Sequence, residues 1–235
     1  MLVFFTLAFV ISWCGWIAVL TLGNAGLPFL VLVAVSPAAA AVVAARRSGT
    51  SLPTLLGPWR SPAWTFAFAL MMPVALVALG TVVASQTDSH RQYELPASAL
   101  TLGYFAQCLF ANPLEEIGWR GFALPRLSER YGPAVASLVV GLAWALWHLP
   151  MFVWAASPMR HFPEFTWAAS LLAESFVLTW FYFRSRRSVA VVSLFHLSVN
   201  LAATALGIAS FSVNAAVFAL AALVVWRIAP PRYFS

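Results

Sequence analysis

The sequence predicts an all-α, polytopic integral membrane protein, a helical bundle of about eight transmembrane helices with an active site inside the membrane. Of its 235 residues, 62% are hydrophobic and only 9% are charged, and the mean hydropathy is +0.87. These values lie outside the usual range of soluble globular proteins. Apolar segments recur along the whole chain, so we expect a single integral membrane domain over 1–235, with a motif-bearing core at about 96–205.

Eight apolar segments have roughly the 20 residues that a helix needs to cross a bilayer. They lie at about residues 1–22, 27–45, 63–85, 97–112 (continuing past a kink), 134–154, 165–183, 189–209 and 211–228. The first segment lacks a basic n-region, so we interpret it as a transmembrane helix and not a cleaved signal. Between the segments, 51–62 is predicted to be an interfacial connection and 86–95 an external loop that holds Asp88, His90, Arg91 and Glu94.

The positive charges predict an orientation. All 13 basic side chains are arginine, and the net charge is +6. The positive-inside rule favours cytoplasmic termini in the plasma (inner) membrane. The arginines expected inside are Arg46, Arg47, Arg60, Arg120, Arg126, Arg130, Arg184, Arg186, Arg187, Arg227 and Arg232, which leaves Arg91 and Arg160 outside. Because no basic stretch alternates with exposed aromatics, we expect membrane lipid and not nucleic acid as a partner. Cys14 and Cys108 show no ligand spacing.

The stretch from residue 112 to 120 places two carboxylates and an arginine in an apolar segment, where ionisable side chains are candidates for function. Asn112 and Pro113 suit a helix start, with Glu115 at the third helical position as in a capping box, so we predict a kink here. Glu116 and Arg120 are four residues apart and are expected to pair. Glu115 points about 100° away and is the freer acid. A structural capping box beside a snorkelling arginine is the alternative.

Two further segments carry polar side chains at helical spacing. His148 lies one turn after Trp144 and just before Pro150, which frees a backbone acceptor and allows a bend. His196 and Asn200 share one helix face. Each is costly in lipid, so we expect them to meet Glu115 in one cavity, in the cytoplasmic half of the bilayer. Glu174 is expected to make a structural hydrogen bond or to face the same cavity, and His161 to be solvated like the loop histidine.

Peptide-bond hydrolysis needs a base for water, donors for the oxyanion and a proton for the leaving amine. Glu115 with His148 is predicted to activate water, while His196 and Asn200 stabilise the oxyanion. Alternatively, Glu115, His148 and His196 form a three-ligand zinc set with an open fourth position. Other protease types are excluded, since the chain has a single Asp and lacks both H-E-x-x-H and G-x-S-x-G.

At these residues the sequence resembles the CAAX protease and bacteriocin-processing (CPBP, or Abi) family of intramembrane proteases, which includes the type II CAAX prenyl endopeptidases. The family patterns E-E-x-x-x-R, F-x-x-x-H and H-x-x-x-N/D have their counterparts in Glu115-Glu116-x-x-x-Arg120, Trp144-x-x-x-His148 and His196-x-x-x-Asn200. Trp144 departs from the family's phenylalanine.

The resemblance implies an eight-helix fold and a cavity open toward the cytoplasm. It also implies cleavage near the C-terminus of a membrane-associated substrate, either a CAAX-like prenylated protein or a bacteriocin-type peptide. Glu116 and Arg120 are supporting residues in this scheme. No cofactor is required in the metal-free mechanism that we favour, and Zn is the alternative. A proton-coupled transporter and a non-catalytic adaptor or immunity protein remain competing hypotheses, because the same buried polar residues suit all three.

Overall fold

The computed structural model describes residues 1–58, 61–87 and 102–231. These residues form eight α-helices of 15 to 24 residues. The helices are α1 (Leu2–Leu22), α2 (Leu30–Arg47), α3 (Ala63–Ser85), α4 (Leu102–Glu116), α5 (Leu124–Trp147), α6 (Glu164–Arg184), α7 (Val189–Leu206) and α8 (Phe211–Ile228). A π-helical segment, Ile117–Ala123, joins α4 to α5. The expected all-α membrane bundle is therefore confirmed.

Each predicted apolar segment contains one of these helices. Four helical runs have the length and hydropathy of a membrane span: Leu2–Arg47, which holds both α1 and α2, then Ala63–Ser85, Val189–Leu206 and Phe211–Ile228. The remaining three helices, α4, α5 and α6, carry ionisable residues, and α4 is only 15 residues long. Because these helices are more charged or shorter than the four runs, the number of eight spans stays a prediction.

The π-helical segment occupies the interior of the bundle, as does the end of α4, whereas Phe105, Leu109 and Phe110 of α4 are exposed. Helix α4 packs between α2 and α7, and the π-helical segment packs against α2 and α5. Around them, α1 pairs with α2, α3 with α7, and α6 with α5 and α8. Helices α6 and α8 run in the same direction, because Asn214 bonds Ser170 near their starts and Trp180 bonds the Ala229 carbonyl near their ends. The two carboxylates of α4 thus lie among helices on every side.

The helix start predicted at Asn112 and Pro113 is wrong. Helix α4 continues through Pro113 to Glu116, so Asn112 is not a helix cap and the capping box does not form. The irregularity comes four residues later, where the chain takes π-helical geometry from Ile117 to Ala123. A π-helical turn adds a residue to the helical repeat and is common at functional sites. Here it follows the two glutamates directly and redirects the chain toward α5.

Two glycines let the π-helical segment approach its neighbours closely. A Cβ at Gly118 would lie 2.5 Å from the Cβ of Pro37 in α2, and one at Gly121 would lie 2.2 Å from the Leu55 carbonyl oxygen. Both distances are shorter than any van der Waals contact, so only glycine fits without a backbone shift. The absence of a Cβ at these two positions lets the π-helical segment lie this close to α2 and to Leu55.

A break in the helix lies at Gly132, close to the predicted start of the fifth apolar segment at residue 134. Gly132 has a non-helical conformation, φ 81° and ψ 160°, and divides α5 just before Pro133. A φ of this sign is accessible to glycine and costly for residues with a Cβ. The fifth apolar segment therefore starts at this break, as the sequence indicates, and it ends at Trp147 with the turn Leu149–Phe152 behind it.

One end of the bundle, which we call the arginine-rich end, consists of the ends of α2, α6 and α8 and the starts of α3 and α7. Contacts tie these parts together: Arg126 donates to Thr50 at 2.7 Å, Ser61 to the Ser185 carbonyl at 2.9 Å, and the Val189 amide to the Leu56 carbonyl at 3.1 Å. The arginines at this end are Arg46, Arg47, Arg126, Arg184, Arg186, Arg187 and Arg227.

Arg160 lies at the opposite end, in the turn Pro158–His161 between α5 and α6. Arg120, which the sequence places with the cytoplasmic arginines, is instead fully buried inside the bundle. The predictions for Trp59, Arg60 and Arg232, and for the loop residues Asp88, His90, Arg91 and Glu94, lie outside the described residues. Which face of the membrane the arginine-rich end occupies stays a prediction.

Candidate active site

A buried ion pair at the end of α4 connects this helix to α7, which carries another of the motifs. Arg120 Nη1 lies 2.9 Å from Glu116 Oε1, and neither side chain is accessible to solvent. The same carboxylate oxygen lies 3.0 Å from Nδ1 of His196 in α7. Because a carboxylate oxygen accepts, Nδ1 of His196 carries a hydrogen and donates it. The pairing of Glu116 with Arg120 that the sequence predicts is thus present, and it also orients an imidazole.

The Arg120 guanidinium reaches two further helices. Its Nη2 lies 3.4 Å from the Ser175 hydroxyl of α6, and that hydroxyl donates to the Ser137 carbonyl of α5 at 3.2 Å. The guanidinium carbon also lies 4.5 Å from the centre of the Trp144 ring, within the range of a cation–π contact. One cation therefore links the π-helical segment to α5 and α6, in addition to its bond with α4.

Glu115 points away from this ion pair, as its position on the helix predicts. Its Oε2 accepts a hydrogen bond of 2.8 Å from the indole nitrogen of Trp144, and 7% of the residue is exposed. The other carboxylate oxygen remains available to a ligand or to water. Adjacent glutamates thus have different surroundings, since Glu116 is enclosed by charged and polar partners and Glu115 lines a cavity.

His148 is held by the backbone of its own helix. Its Nδ1 lies 2.8 Å from the Trp144 carbonyl oxygen, one turn earlier. A carbonyl can only accept, so Nδ1 carries the hydrogen, and in the neutral ring Nε2 has the free lone pair. The rings of Trp147 and Trp167 pack edge-on against the imidazole, with centroids 4.9 Å and 5.3 Å away. These contacts leave Nε2 as the atom of His148 that is able to accept a proton.

Asn200 lies one turn after His196 on α7 and meets α4. Its Nδ2 donates to Oδ1 of Asn112 at 3.3 Å. An amide nitrogen has two hydrogens, so one remains for a ligand. Asn112 is 3% exposed, and its own Nδ2 has no hydrogen-bond partner among the described residues. Two side-chain amides therefore stand side by side with donor capacity left.

A single cavity of about 510 Å³ brings these side chains together. Its lining includes all four residues that the sequence predicts to be catalytic, namely Glu115, His148, His196 and Asn200. Ring centroids of Trp144 and His196 lie 5.0 Å apart, so the tryptophan that bonds Glu115 also touches the second histidine. Glu116 and Arg120 lie behind the lining residues, in agreement with a supporting position.

Sequence reasoning gave one residue of this cavity another role and missed the contacts of a second. Asn112 was assigned to a helix cap and instead meets Asn200. Trp144 was noted only for its spacing from His148 and its departure from phenylalanine, whereas its indole nitrogen and its carbonyl hold Glu115 and His148. Glu174, expected to make a structural hydrogen bond or to face this cavity, lines the cavity. The i, i+4 spacing of Trp144 and His148 was visible in the sequence, but the indole's partner lies 29 residues away.

The alternative metal set does not fit this geometry. The described residues, which include Glu115, His148 and His196, contain no group of three His, Cys, Asp or Glu side chains arranged to hold a metal ion. We therefore derive no reaction step through zinc.

The cavity extends toward the end of the bundle opposite the arginine-rich end. Its lining includes Trp16 near the end of α1, Leu30 at the start of α2, and residues of both connections at that end, Pro158 and Ile208. Much of the lining thus lies nearer the end opposite the arginines. The side of the membrane from which the cavity is reached and the orientation of the chain both stay predictions.

Taken together, the fold and the cavity define a polytopic membrane protein that encloses two glutamates, two histidines and four side-chain amides among its described helices. Residues 97–202 match the family model described as Type II CAAX prenyl endopeptidase Rce1-like. The CAAX prenyl protease 2 of Methanococcus maripaludis is 31% identical over 99 residues, which cover 40% of this chain and 36% of that protein. The motif-bearing part of the chain is thus similar to the CAAX proteases, and the predicted resemblance is confirmed.

Single cysteines test the orientation. In a protein without Cys14 and Cys108, we expect Ser48→Cys, at the exposed end of α2, to be protected from a membrane-impermeant maleimide added to intact cells, because positive charge favours the cytoplasmic side. Ala156→Cys, exposed at the opposite end, should be labelled. Both should react after lysis. Labelling of position 48 alone would reverse the orientation and turn the cavity end toward the cytoplasm.

Removal of the buried cation should destabilise the protein. Arg120→Met leaves Glu116 charged and without its main partner, a loss of about 3–5 kcal/mol in the free energy of unfolding. We expect a clear fall in the midpoint of thermal unfolding in detergent. The double variant Glu116→Gln/Arg120→Met removes both charges and should recover part of the loss. Equal destabilisation by the single and double variants would contradict this interpretation of the pair.

Proposed function

We propose that the protein is an intramembrane endopeptidase that hydrolyses a peptide bond of a membrane-associated substrate. The observation that carries the proposal is the shared cavity, which is lined by the carboxylate of Glu115, two imidazoles and the amide of Asn200. Similarity to the CAAX prenyl endopeptidases supports the reaction class. The substrate class that we propose is a lipidated C-a-a-X-type or bacteriocin-type peptide, in line with the name of the similar protease.

In this mechanism Glu115 and His148 activate water. The free Oε1 of Glu115 and Nε2 of His148 are both acceptors, and a water molecule has two hydrogens to donate to them. Glu115 takes one proton as the water attacks the scissile carbonyl, and the proton then passes to the leaving amine. The indole hydrogen bond of Trp144 holds the carboxylate, and the Trp144 carbonyl holds the imidazole. Trp144 therefore fixes the distance between the two groups.

His196 and Asn200 stabilise the oxyanion. A protonated His196 donates from both nitrogens, with Nδ1 to Glu116 and Nε2 to the developing negative charge. One imidazolium and one guanidinium balance the charges of Glu115 and Glu116. The second hydrogen of the Asn200 amide supplies another donor, and Asn112 fixes its plane through the 3.3 Å contact. In a site without bulk water, donors positioned in advance are more effective than in solution.

Variants of the three ionisable residues test the reaction class. We expect Glu115→Gln, His148→Ala and His196→Ala each to lower cleavage of a prenylated C-a-a-X peptide in liposomes by about 10²–10⁴-fold, since each removes a proton-transfer group or an oxyanion donor. The matched controls are Glu164→Gln and His161→Ala, which change exposed residues at the start of α6 and just before it.

The outcome separates the competing functions. Unchanged thermal unfolding with lost cleavage supports the protease. If the unaltered protein cleaves no peptide and the variants lose pH-coupled flux, the protein is instead a transporter. If all three substitutions leave partner binding unchanged, the protein is an adaptor.

Cleavage should not depend on a metal ion. We expect full activity after dialysis against a strong chelator, because Glu115 and His148 suffice to activate water in the proposed mechanism. Metal content is measured on the same purified sample. Loss of activity in chelator, restored by added Zn²⁺, would overturn the metal-free mechanism and leave the protease assignment intact.

A further inference from the structure

Glu174 is a buried carboxyl group that the mechanism above does not use. It lies in the middle of α6, is 7% exposed and lines the same cavity as Glu115. Its Oε1 has no hydrogen-bond partner within the part of the chain that the structure describes. A buried polar atom without a partner is costly, and in native proteins it calls for an explanation such as a ligand.

Two polar side chains continue this wall of the cavity. Ser170 lies one helical turn before Glu174, on the same face of α6, and Asn214 of α8 donates to its hydroxyl at 2.7 Å. Both residues are less than 8% exposed and line the cavity. Since the Ser170 oxygen accepts from Asn214, its own hydrogen remains to donate. The wall thus offers a carboxyl acceptor beside a hydroxyl group fixed by a second helix.

This polar wall stands apart from the proposed reacting groups. Helices α4, α5 and α7 supply Glu115, His148, His196 and Asn200, whereas Glu174 and Ser170 belong to α6 and Asn214 to α8. Helices α6 and α8 run in the same direction and pack along their length, with Trp226 donating to the Phe176 carbonyl at 3.0 Å. The wall is therefore a rigid surface on which a bound molecule is positioned.

A peptide that enters a cavity among transmembrane helices leaves water and must find partners for its N–H groups. We propose that Glu174, together with Ser170 and Asn214, forms a subsite that binds a hydrogen-bond donor of the substrate peptide. This inference rests on the proposed function. The donor is either a backbone N–H or a cationic side chain near the scissile bond, and in both cases the carboxyl group accepts the hydrogen bond.

Binding of prenylated C-a-a-X peptides tests the subsite. Affinity is measured by tryptophan fluorescence in detergent, in a Glu115→Gln background so that the peptide is not consumed. We expect Glu174→Ala to weaken binding at least about tenfold, the size of a lost hydrogen bond to a charged group. Ser170→Ala, a smaller change in volume, should weaken binding in the same direction. Ser128→Ala removes a buried hydroxyl that does not line the cavity and should bind normally.

A peptide series distinguishes the two donors. If Glu174 binds a backbone amide, N-methylation of that amide should weaken peptide binding to the protein with Glu174 about as much as Glu174→Ala does. The same N-methylation should not weaken peptide binding to the Glu174→Ala variant any further. In that case Glu174→Gln, which keeps an acceptor oxygen, retains binding. A cationic donor predicts the reverse: binding falls in Glu174→Gln and with replacement of the substrate's basic residue, and N-methylation has no special effect.

Cleavage kinetics give a second measure with native Glu115. We expect Glu174→Ala to raise KM by a larger factor than it lowers kcat, because the subsite holds the substrate without moving a proton. Equal affinity of Glu174→Ala and the protein with Glu174 overturns the subsite. If the protein binds the peptide but never cleaves it, the proposed function is overturned. The binding measurements on Glu174→Ala then decide the subsite by themselves. Absence of any binding overturns both.

Discussion

The candidate site depends on one buried ion pair, Glu116 with Arg120. Two charges in a low-dielectric interior are stable only when they neutralise each other and find further hydrogen bonds. Here the carboxylate also accepts from His196, and the guanidinium reaches Ser175 and lies over the Trp144 ring. These contacts attach α4 to α5, α6 and α7. With Glu116 fixed in this way, Glu115 is turned about 100° around the helix and faces the cavity.

Trp144 is the second residue on which the geometry depends. The family pattern has phenylalanine at this position, and a phenyl ring has no N–H to offer Glu115. In this chain the indole donates to the carboxylate, the backbone carbonyl accepts from His148, and the ring touches His196. A departure from the family motif has thus become part of the polar network, and the larger ring lies between the acid and the second imidazole.

Much of this structure could be predicted from periodicity and from the cost of charge in lipid. Hydropathy located the helices within a few residues, and the i, i+4 spacings identified Glu116 with Arg120 and His196 with Asn200. Local rules failed at Pro113, where sequence signals for a helix start were overridden by packing of α4 between α2 and α7. A π-helical turn has no comparable sequence signature, so the position of the irregularity could not be predicted.

Contacts between distant segments were the other limit. Nothing in the local sequence indicates that Asn112 meets Asn200, 88 residues away, or that Asn214 meets Ser170. The position of the cavity along the bundle could not be predicted either, because hydropathy gives the ends of each helix but not the end of the bundle toward which a cavity extends. Only the arrangement of the helices shows that the cavity extends toward the end opposite the arginines.

The glycines of the π-helical segment have a consequence for natural variation in this protein. Gly118 and Gly121 touch Pro37 and the Leu55 carbonyl, and neither lines the cavity. Any larger residue would push the acid-bearing helix away from α2 and shift Glu115 relative to its partners. Substitution at either position is therefore excluded for steric reasons alone. Among inactive variants we expect changes at these two glycines, although neither residue takes part in the proposed reaction.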